Sequence, residues 1–550
     1  ERHYTRKRIQ GMGKGNNSIA KSTGIMTAAT MLSRITGLGR TWAMAFALGN
    51  TIVTSAYQVA YNMPSVIYDL VAGGIIGTAF LPIYLLQREK LGTEGGDRFA
   101  SNILNLAVVI LGVLSILASV FAPQIIATQT FTVSDTAQVT QTATMFLRVF
   151  AVQIVLYGLG GVITGVLNAN RMYGAPTLAP VFNNIVVMTT MFSYVPISAA
   201  NPDFALWWLA GGTSLGVAVQ FGIQIPMLVK IGFKYVPKIS LHDPALREAM
   251  RIALPTLVYI AGTLVSYSCR NAFSLQAGEN GPSTLSYAWM WYQLPYGVIA
   301  VSISTAFLTE MSEAMARGDM ATLRSYASRG LRTTLFLIIP LAGMMFALGV
   351  PIIQIFKAGA FDQESVYSIA QVLQCWVVSL PFYAGQMFFY RVFASLRQFL
   401  TFALVSCGLC TVQIFLYWQL TTPEVLGLLG IPVADCVYFA LQFFIMALIL
   451  RKRVGGFGFM STVWMGARTI VATGIGMAVV EGVLLLIPLQ PSIGAALVEI
   501  VLCGTVGLIV TFAVCRLLRI PEMDFVVNIL RKIGTKLGIV KSPRGKHAKR

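Results

Sequence analysis

Charge is scarce in this chain. Asp, Glu, Lys and Arg make up 11% of 550 residues, where a soluble globular domain carries about 25%. A soluble enzyme or binding module is excluded on that ground. Acidic residues are scarcer than basic ones, 21 against 40. Histidine is almost missing, and His3, His242 and His547 all lie outside the apolar runs. No histidine-based metal centre is therefore available within a membrane. The sequence has no paired-carboxylate set, Ser/His/Asp grouping, Walker loop or metal-ligand cluster. Bond-breaking chemistry, a metal and a cofactor are not expected. A basic soluble domain of useful size is also lacking, so the net charge of +19 is no nucleic-acid footprint. The basic residues sit at the ends of apolar runs and in the tails, where positive-inside topology and anionic headgroups account for them.

Apolar sequence fills the space. Hydrophobic residues make up 56% of the chain and the mean hydropathy is +0.71. The runs are continuous and about 20 residues or longer, the length of a helical span and not of a barrel strand. The fold class predicted is an all-α polytopic membrane protein. Fourteen spans are expected, near 23–48, 52–86, 100–122, 138–168, 173–197, 204–231, 250–275, 283–315, 329–349, 364–393, 398–419, 425–450, 461–488 and 491–517. The first run lacks a small-residue cleavage motif, so no cleavable signal peptide is expected. The seven cysteines lie in or near these runs. Cys407 and Cys410 form a C-x-x-C, which reads as small packing residues on a membrane helix.

Basic residues fall in alternate connections: 1–22, 88–98, Arg171, 230–251, 317–332, Arg397, 451–453 and 519–550. The connections near 123–137, 198–203, 276–282, 420–424 and 489–491 carry no Lys or Arg, and Lys357 is the exception. Both termini are then cytoplasmic and the span number is even.

An internal repeat is present. SAYQVAYNMP followed by GTAFLP in the second run echoes SYAWMWYQLP followed by STAFLT in the eighth. FAPQII at Pro123 echoes LGVPII at Pro351, and LNANR at Arg171 echoes ASLR at Arg397. The offset is close to 228 residues throughout. Two six-span lobes of like orientation follow, 23–235 and 240–453, between a basic segment 1–22 and two further spans at 461–517 with a basic tail 518–550. Parallel repeats are a transporter signature, with the substrate between the halves near the midplane.

Few charges lie inside the runs: Arg34, Arg40, Asp69, Arg148, Arg270, Asp435, Glu481 and Glu499. An arginine at the bilayer centre costs about 2.5–3.5 kcal/mol on insertion scales, so it marks a polar cavity or an anion pathway. Arg34 and Arg40 share one run. Six helical residues separate them by about 9 Å of rise and about 120° of rotation, and Gly37 and Gly39 between them permit a bend. Together they suit a diphosphate, which guanidinium recognises bidentately; the bland reading of Arg34 is snorkelling to the surface. Asp69 is a partner for an arginine, in the site or in a structural ion pair. Arg270 opens the second lobe and either faces the same cavity or snorkels outward. Arg148 reads as a supporting polar group or an outer-leaflet snorkel. Asp435 is the candidate for a coupling cation. Glu481 and Glu499 lie in the extra spans and read as structural.

The stretches LSRITGLGRTWAMAFALG, SAYQVAYNMPSVIYDLVAGGIIGTAFLP, LNANRMYGAPTLAPVFNN and YAWMWYQLPYGV resemble the MurJ (MviN) family of lipid II flippases, most of all its actinobacterial branch. The resemblance covers spans one to twelve. It implies a two-lobe fold of the multidrug and oligosaccharidyl-lipid exporter superfamily, working by alternating access in the bacterial cytoplasmic membrane. It implies a cationic cavity for the diphosphate of a polyprenyl-linked peptidoglycan precursor, and a groove for the lipid tail lined by the last two helices. Arg34 and Arg40 match the two first-helix arginines of the family. Thr41, Tyr68 and Asp69 stand where many members carry further charge, and span eight has no arginine, so Arg270 is the substitute one span earlier. The partners implied are lipid II or a similar lipid, membrane lipids and cell-wall synthesis proteins. A flippase for another polyprenyl-diphosphate oligosaccharide, a drug–cation antiporter and a non-transporting scaffold are the rival readings. The antiporter would want a cavity carboxylate, and the scaffold would need neither buried arginines nor a repeat.

Overall fold

The computed structural model describes residues 29–73, 76, 79–132, 137–240, 244–486 and 491–536. The segment 1–22, His242, part of the 123–137 connection and the tail beyond residue 536 lie outside the described residues. Among the described residues the chain is helical, with no strand. The first half comprises α1 (29–48), α2 (Ile52–Tyr61), α3 (Met63–Tyr68), α4 (Phe80–Val120), α5 (Ala122–Thr130), α6 (Ala137–Phe150), α7 (Val152–Ala169), α8 (Gly174–Ala200), α9 (Pro202–Gly222), α10 (Ile225–Lys230) and α11 (Pro244–Ala277). The second comprises α12 (Gly281–Pro295), α13 (Val301–Ala316), α14 (Met320–Ala347), α15 (Gly349–Gln354), α16 (Gln363–Val377), α17 (Leu380–Ser395), α18 (Phe399–Leu420), α19 (Gly430–Val454), α20 (Phe459–Leu486), α21 (Ile493–Leu517) and α22 (Met523–Lys536). Among the described residues ten helical segments are long and apolar enough to cross a membrane, or eleven when α16 and α17, bent by 52°, count as one span.

Local sequence sets the helix starts. Asn201 accepts from the Phe204 amide (3.0 Å) ahead of Pro202, and Ser492 accepts from the Ala495 amide (3.1 Å). Asp319 accepts from the Thr322 amide (2.9 Å) and hydroxyl (2.6 Å), which holds its carboxyl below the usual range. Each cap satisfies a donor that the first helical turn leaves open.

Two compact units result. One joins Glu1–Tyr287 with Phe356–Val366 and Ala403–Ile431; the other joins Ala288–Ile355 with Tyr367–Phe402 and Pro432–Arg550. This grouping by spatial proximity is drawn on a different basis from the 23–235 and 240–453 halves of the sequence. In the first unit, α11 is tied to α5: Gln129 donates to Ser268 (2.5 Å) and Asn271 donates to Gln129 (3.0 Å). Its core includes Phe80, Phe99, Leu111, Ile154 and Val166, from α4 and α7. In the second unit, α14 packs on α20 at Gly343, where an added Cβ would run into Thr473.

The same irregularities recur at one spacing. A π-helical turn follows α3 at Asp69–Gly73, and another follows α12 at Tyr296–Ala300. Non-helical corners stand at Phe121 (φ −90°, ψ 18°) and Leu348 (φ −98°, ψ 17°). Arg171 and Arg397 both take a left-handed backbone, at φ 60° and 57°. All three pairs lie about 227 positions apart, the offset of the sequence repeat. Arg519 is a third left-handed arginine, at φ 52°.

Each of these arginines closes a helix. The amide after it reaches back five residues, in Met172→Leu167 (2.9 Å), Gln398→Phe393 (2.9 Å) and Ile520→Cys515 (3.1 Å). This six-to-one closure normally uses glycine, since a left-handed residue with a Cβ costs about 1–2 kcal/mol. A cation at a helix C-terminus recovers part of that. Arg397→Val is expected to destabilise the protein by about 1–2 kcal/mol, because a β-branched residue is least tolerant of this backbone. Arg397→Gly is expected to cost nothing or to stabilise. Thermal unfolding of the detergent-solubilised variants measures both, and equal melting temperatures for the two would contradict the strain argument.

Candidate functional site

Arg40 is the centre of a built site in the first unit. It lies on α1, which stays helical through Gly37 and Gly39. Its Nη1 donates to the Tyr61 hydroxyl at 2.8 Å, and its Cζ lies 5.5 Å from the centre of the Tyr61 ring. Tyr61 stacks on Tyr57 at 5.4 Å. Phe146 and Phe150 meet Tyr57 edge-on at 5.8 and 5.7 Å, and the Tyr57 hydroxyl pairs with Thr213 at 3.2 Å. An aromatic box thus holds the guanidinium by one edge and one face. A guanidinium has five N–H donors, so the box leaves donors for a ligand.

Helical phase produces the box. Tyr57 and Tyr61 are four apart on α2 and share a face, as Phe146 and Phe150 do on α6. Arg148 falls between those phenylalanines, about 200° from Phe146 at 100° per residue. It is exposed and turned away from the box.

Arg270 connects to the same stretch of α2. Its Cζ lies 5.4 Å from the centre of the Tyr267 ring. The Tyr267 hydroxyl accepts from Asn62 Nδ2 at 2.6 Å. Tyr61 and Asn62 are consecutive residues, so the last residue of α2 holds Arg40 and the cap that follows it holds the Arg270 partner. Arg34 is exposed, two turns earlier on α1. Asp69 is exposed at the start of the π-helical turn. Among the described residues Asp69 forms no ion pair, so the arginine partnership expected of it is not made here.

Beyond the arginine site, the end of α1 is sealed within the same unit. Ser283 donates to Asn50 Oδ1, Asn50 Nδ2 donates to Thr284 (2.9 Å), and the Tyr287 hydroxyl donates to the Gly49 carbonyl (3.0 Å). The Ala360 amide donates to the Phe46 carbonyl at 3.0 Å. Gly49 and Gly359 make this approach possible. Both have left-handed backbones, and a Cβ on Gly49 would strike the Ala360 carbonyl.

The second unit holds Asp435 and an apolar groove. Asp435 is 1% exposed, and its Oδ2 accepts from Trp376 Nε1 at 2.9 Å. Trp376 belongs to an aromatic cluster with Trp289, Tyr292 and Tyr383. The groove has a volume of about 600 Å³ and runs between α14, α17, α19 and α20. Leu335, Ile339, Phe382, Phe444, Phe459 and Ile470 are among its walls. Of the last two spans, α20 lines it and α21 does not. Glu481 is exposed and Glu499 half-buried on those spans. Among the described residues no group of three metal-ligating side chains exists.

Sequence reasoning missed Tyr57, Tyr61, Asn62 and Tyr267. The signal was present in SAYQVAYN, where tyrosines four apart and an amide interrupt an apolar run.

A model of the family described as lipid II flippase MurJ matches residues 44–494. The probable lipid II flippase MurJ of Rhizobium tropici is 23% identical over 505 residues, covering 90% of this chain and 92% of that protein. The lipid II flippase MurJ of Burkholderia cenocepacia is 25% identical over 358 residues, 64% of this chain and 68% of its own length. Among solved structures, a lipid II flippase MurJ in an inward closed conformation superposes with a TM-score of 0.71 at 23% identity, covering 90% of this chain and 99% of the other. An inward-facing multidrug transporter of the MATE family gives 0.65 at 15% identity, over 80% and 99%. These likenesses show the fold.

Trp376→Phe removes the indole donor from a buried carboxylate while keeping most of the apolar volume. A hydrogen bond to a charged group contributes about 1.5–3 kcal/mol, so the variant is expected to lose stability on that scale. With Asp435→Asn already present, the added cost of Trp376→Phe should shrink, and a double-mutant cycle of thermal unfolding reads the difference. Strict additivity would mean that the two side chains are not coupled.

Proposed function

We infer that this chain, which belongs to the lipid II flippase MurJ family, carries lipid II from the inner to the outer leaflet by alternating access. Its membrane is the bacterial cytoplasmic membrane, and it does transport and no catalysis. The observation that carries the mechanistic reading is the Arg40 site. A guanidinium is held in an aromatic box by a single side-chain hydrogen bond, and the neighbouring residue of α2 leads to a second arginine. A diphosphate offers several acceptors to such donors, and charge-assisted contacts are the strong ones.

In this reading Arg40 and Arg270 bind the diphosphate, and Arg34, exposed toward the start of α1, meets it on entry. The polyprenyl tail lies in the apolar groove beside α20. Asp435 is the site for a coupling cation, with Trp376 fixing the carboxylate. Fourteen spans and two six-helix lobes complete the architecture, supported by the irregularities that recur about 227 residues apart. The connection near 123–137 is outside and both termini are inside, supported by the basic residues of the alternate connections. The seal of Phe46, Gly49 and Asn50 against Ser283, Tyr287 and Ala360 then closes the outer side. That state awaits substrate from the cytoplasm.

Complementation of a strain depleted of its own lipid II flippase tests the reading. Arg40→Ala is expected to insert normally, since removing an intramembrane charge favours insertion, and to fail to complement. Arg40→Lys is expected to be impaired as well, because an ammonium lacks the planar fork. Arg270→Ala is expected to reduce flipping. Full growth on well-expressed Arg40→Ala protein would defeat the diphosphate assignment. Rescue by wild type of a strain lacking a different polyprenyl-diphosphate flippase, without rescue of the lipid II strain, would favour the rival substrate.

Topology has its own check. A single cysteine placed near position 130 is expected to react with an impermeant reagent applied outside the cell. One near position 240 is expected to stay unlabelled. The reverse pattern would invert the orientation.

A further inference from the structure

A second pocket, of about 680 Å³, lies at the end of the second unit where α14 starts. Its walls come from the first turns of α14, the 456–458 loop and the start of α22. Arg324, Arg329 and Arg332 line it, with Glu522 and Asp524 as the acidic residues. Arg332 and Glu522 form an ion pair at 2.5 Å, the pair half-enclosed at 22% and 10% side-chain exposure. That bridge holds the start of α22 to α14, and Arg332 also donates to Ser461 at 3.1 Å.

The pocket is a polar end on an apolar slot. Along α14 the lining passes from Arg324, Ser328 and Arg332 into Leu335, Ile339 and Phe346 of the groove described above. On the other wall it passes from Gly458 straight into Phe459. A polar head cavity and an apolar groove that share α14 as a wall, and adjoin at Gly458 and Phe459, have the arrangement of a lipid site.

The unmet bonding capacity specifies the head. Among the described residues, Arg332 Nε is buried with no acceptor and Glu522 Oε2 is buried with no donor. A buried polar group without a partner is costly, so a ligand supplying both would be held. Three arginines against two carboxylates leave one net positive charge. A phosphodiester carries one negative charge and balances it. A diphosphate would overcharge the pocket, so the transported substrate is not the occupant. A hydroxyl on the head would donate to Glu522.

We propose that this pocket binds an anionic phospholipid with a hydroxylated headgroup, its phosphodiester between Arg324, Arg329 and Arg332 and its acyl chains entering the groove. The membrane reading alone is needed for this. Where the groove also serves the polyprenyl tail, phospholipid fills it between transport cycles, and the substrate displaces its chains. The amphipathic start of α22 and the Arg332–Glu522 bridge then respond to which lipids surround the protein.

The test is lipid retention by the purified full chain, read by native mass spectrometry and by melting temperature after adding defined lipid. Phosphatidylglycerol is expected to be retained and to raise the melting temperature, and phosphatidylcholine to do neither. Arg324→Ala with Arg329→Ala is expected to lower phosphatidylglycerol retention by roughly tenfold or more, the scale of one lost charge-assisted contact. Arg329→Glu is the variant that keeps the fold, because Arg329 is exposed and holds no other element. It is expected to show the same direction. Arg40→Ala protein is expected to retain the lipid like wild type, so a failed flippase reading leaves this result standing. Equal retention of the two lipids, no effect of either pocket variant, or the same stabilisation by inorganic phosphate alone would each overturn the proposal. So would preferential retention of a polyprenyl diphosphate in the Arg324 pocket.

Discussion

An arginine inside a membrane must be solvated by the protein, and the rest of the first unit is arranged around that demand. Arg40 has no ion pair among the described residues. A carboxylate partner would have neutralised it and spent its donors. Tyr61 instead supplies a neutral oxygen and a π face, which stabilise the cation without cancelling its charge. Tyr57 and Phe150 then fix the Tyr61 ring, and Phe146 packs on both of them. The result is a cation made tolerable but not satisfied, which is the condition for binding an anion and releasing it again.

The backbone obeys a related constraint. In hydrocarbon every N–H and C=O needs a partner within the protein, so breaks in a spanning helix are tolerated only where neighbours or cavities meet them. The π-helical turns at Asp69–Gly73 and Tyr296–Ala300, and the corners at Phe121 and Leu348, are such breaks. Their recurrence at one spacing shows that they belong to the repeated unit and are not accidents of either half. The turn at Asp69 follows directly on α3, next to the segment that carries Tyr61 and Asn62. Irregular backbone and the arginine site therefore occur in one stretch of chain.

Much of this was legible in the sequence because membranes impose strong rules. Helical class, the apolar spans, the repeat and Arg40 all follow from run length, charge scarcity and the cost of a buried guanidinium. The repeat was visible as SAYQVAYNMP against SYAWMWYQLP, and the paired left-handed arginines lie in the echo already noted. What was not legible depends on which face of a helix turns where. Arg148 and Asp69 are both intramembrane charges in the sequence, yet both are exposed. Composition cannot separate them from Arg40, whereas helical phase against Phe146 and Phe150 does so for Arg148. Within the first unit, α11 is joined to α5 and to α18 by side-chain hydrogen bonds such as Gln129–Asn271 and Ser266–Gln413. No hydropathy pattern encodes those pairings.

The two arginine-bearing sites differ in what surrounds the guanidinium groups. At Arg40 the surroundings are aromatic, and no carboxylate among the described residues offsets the guanidinium charge. In the Arg324 pocket Glu522 and Asp524 offset most of the charge of three arginines, and what remains matches a single phosphodiester. Affinity for phosphate groups would be indiscriminate if both sites were simply basic. A protein immersed in anionic lipid meets phosphodiesters at far higher concentration than any diphosphate substrate. Selectivity then cannot come from positive charge alone. Under the proposed assignments it comes from the number of arginines left unopposed: Arg40 and Arg270 together for a diphosphate, against one net positive charge in the Arg324 pocket for a phosphodiester.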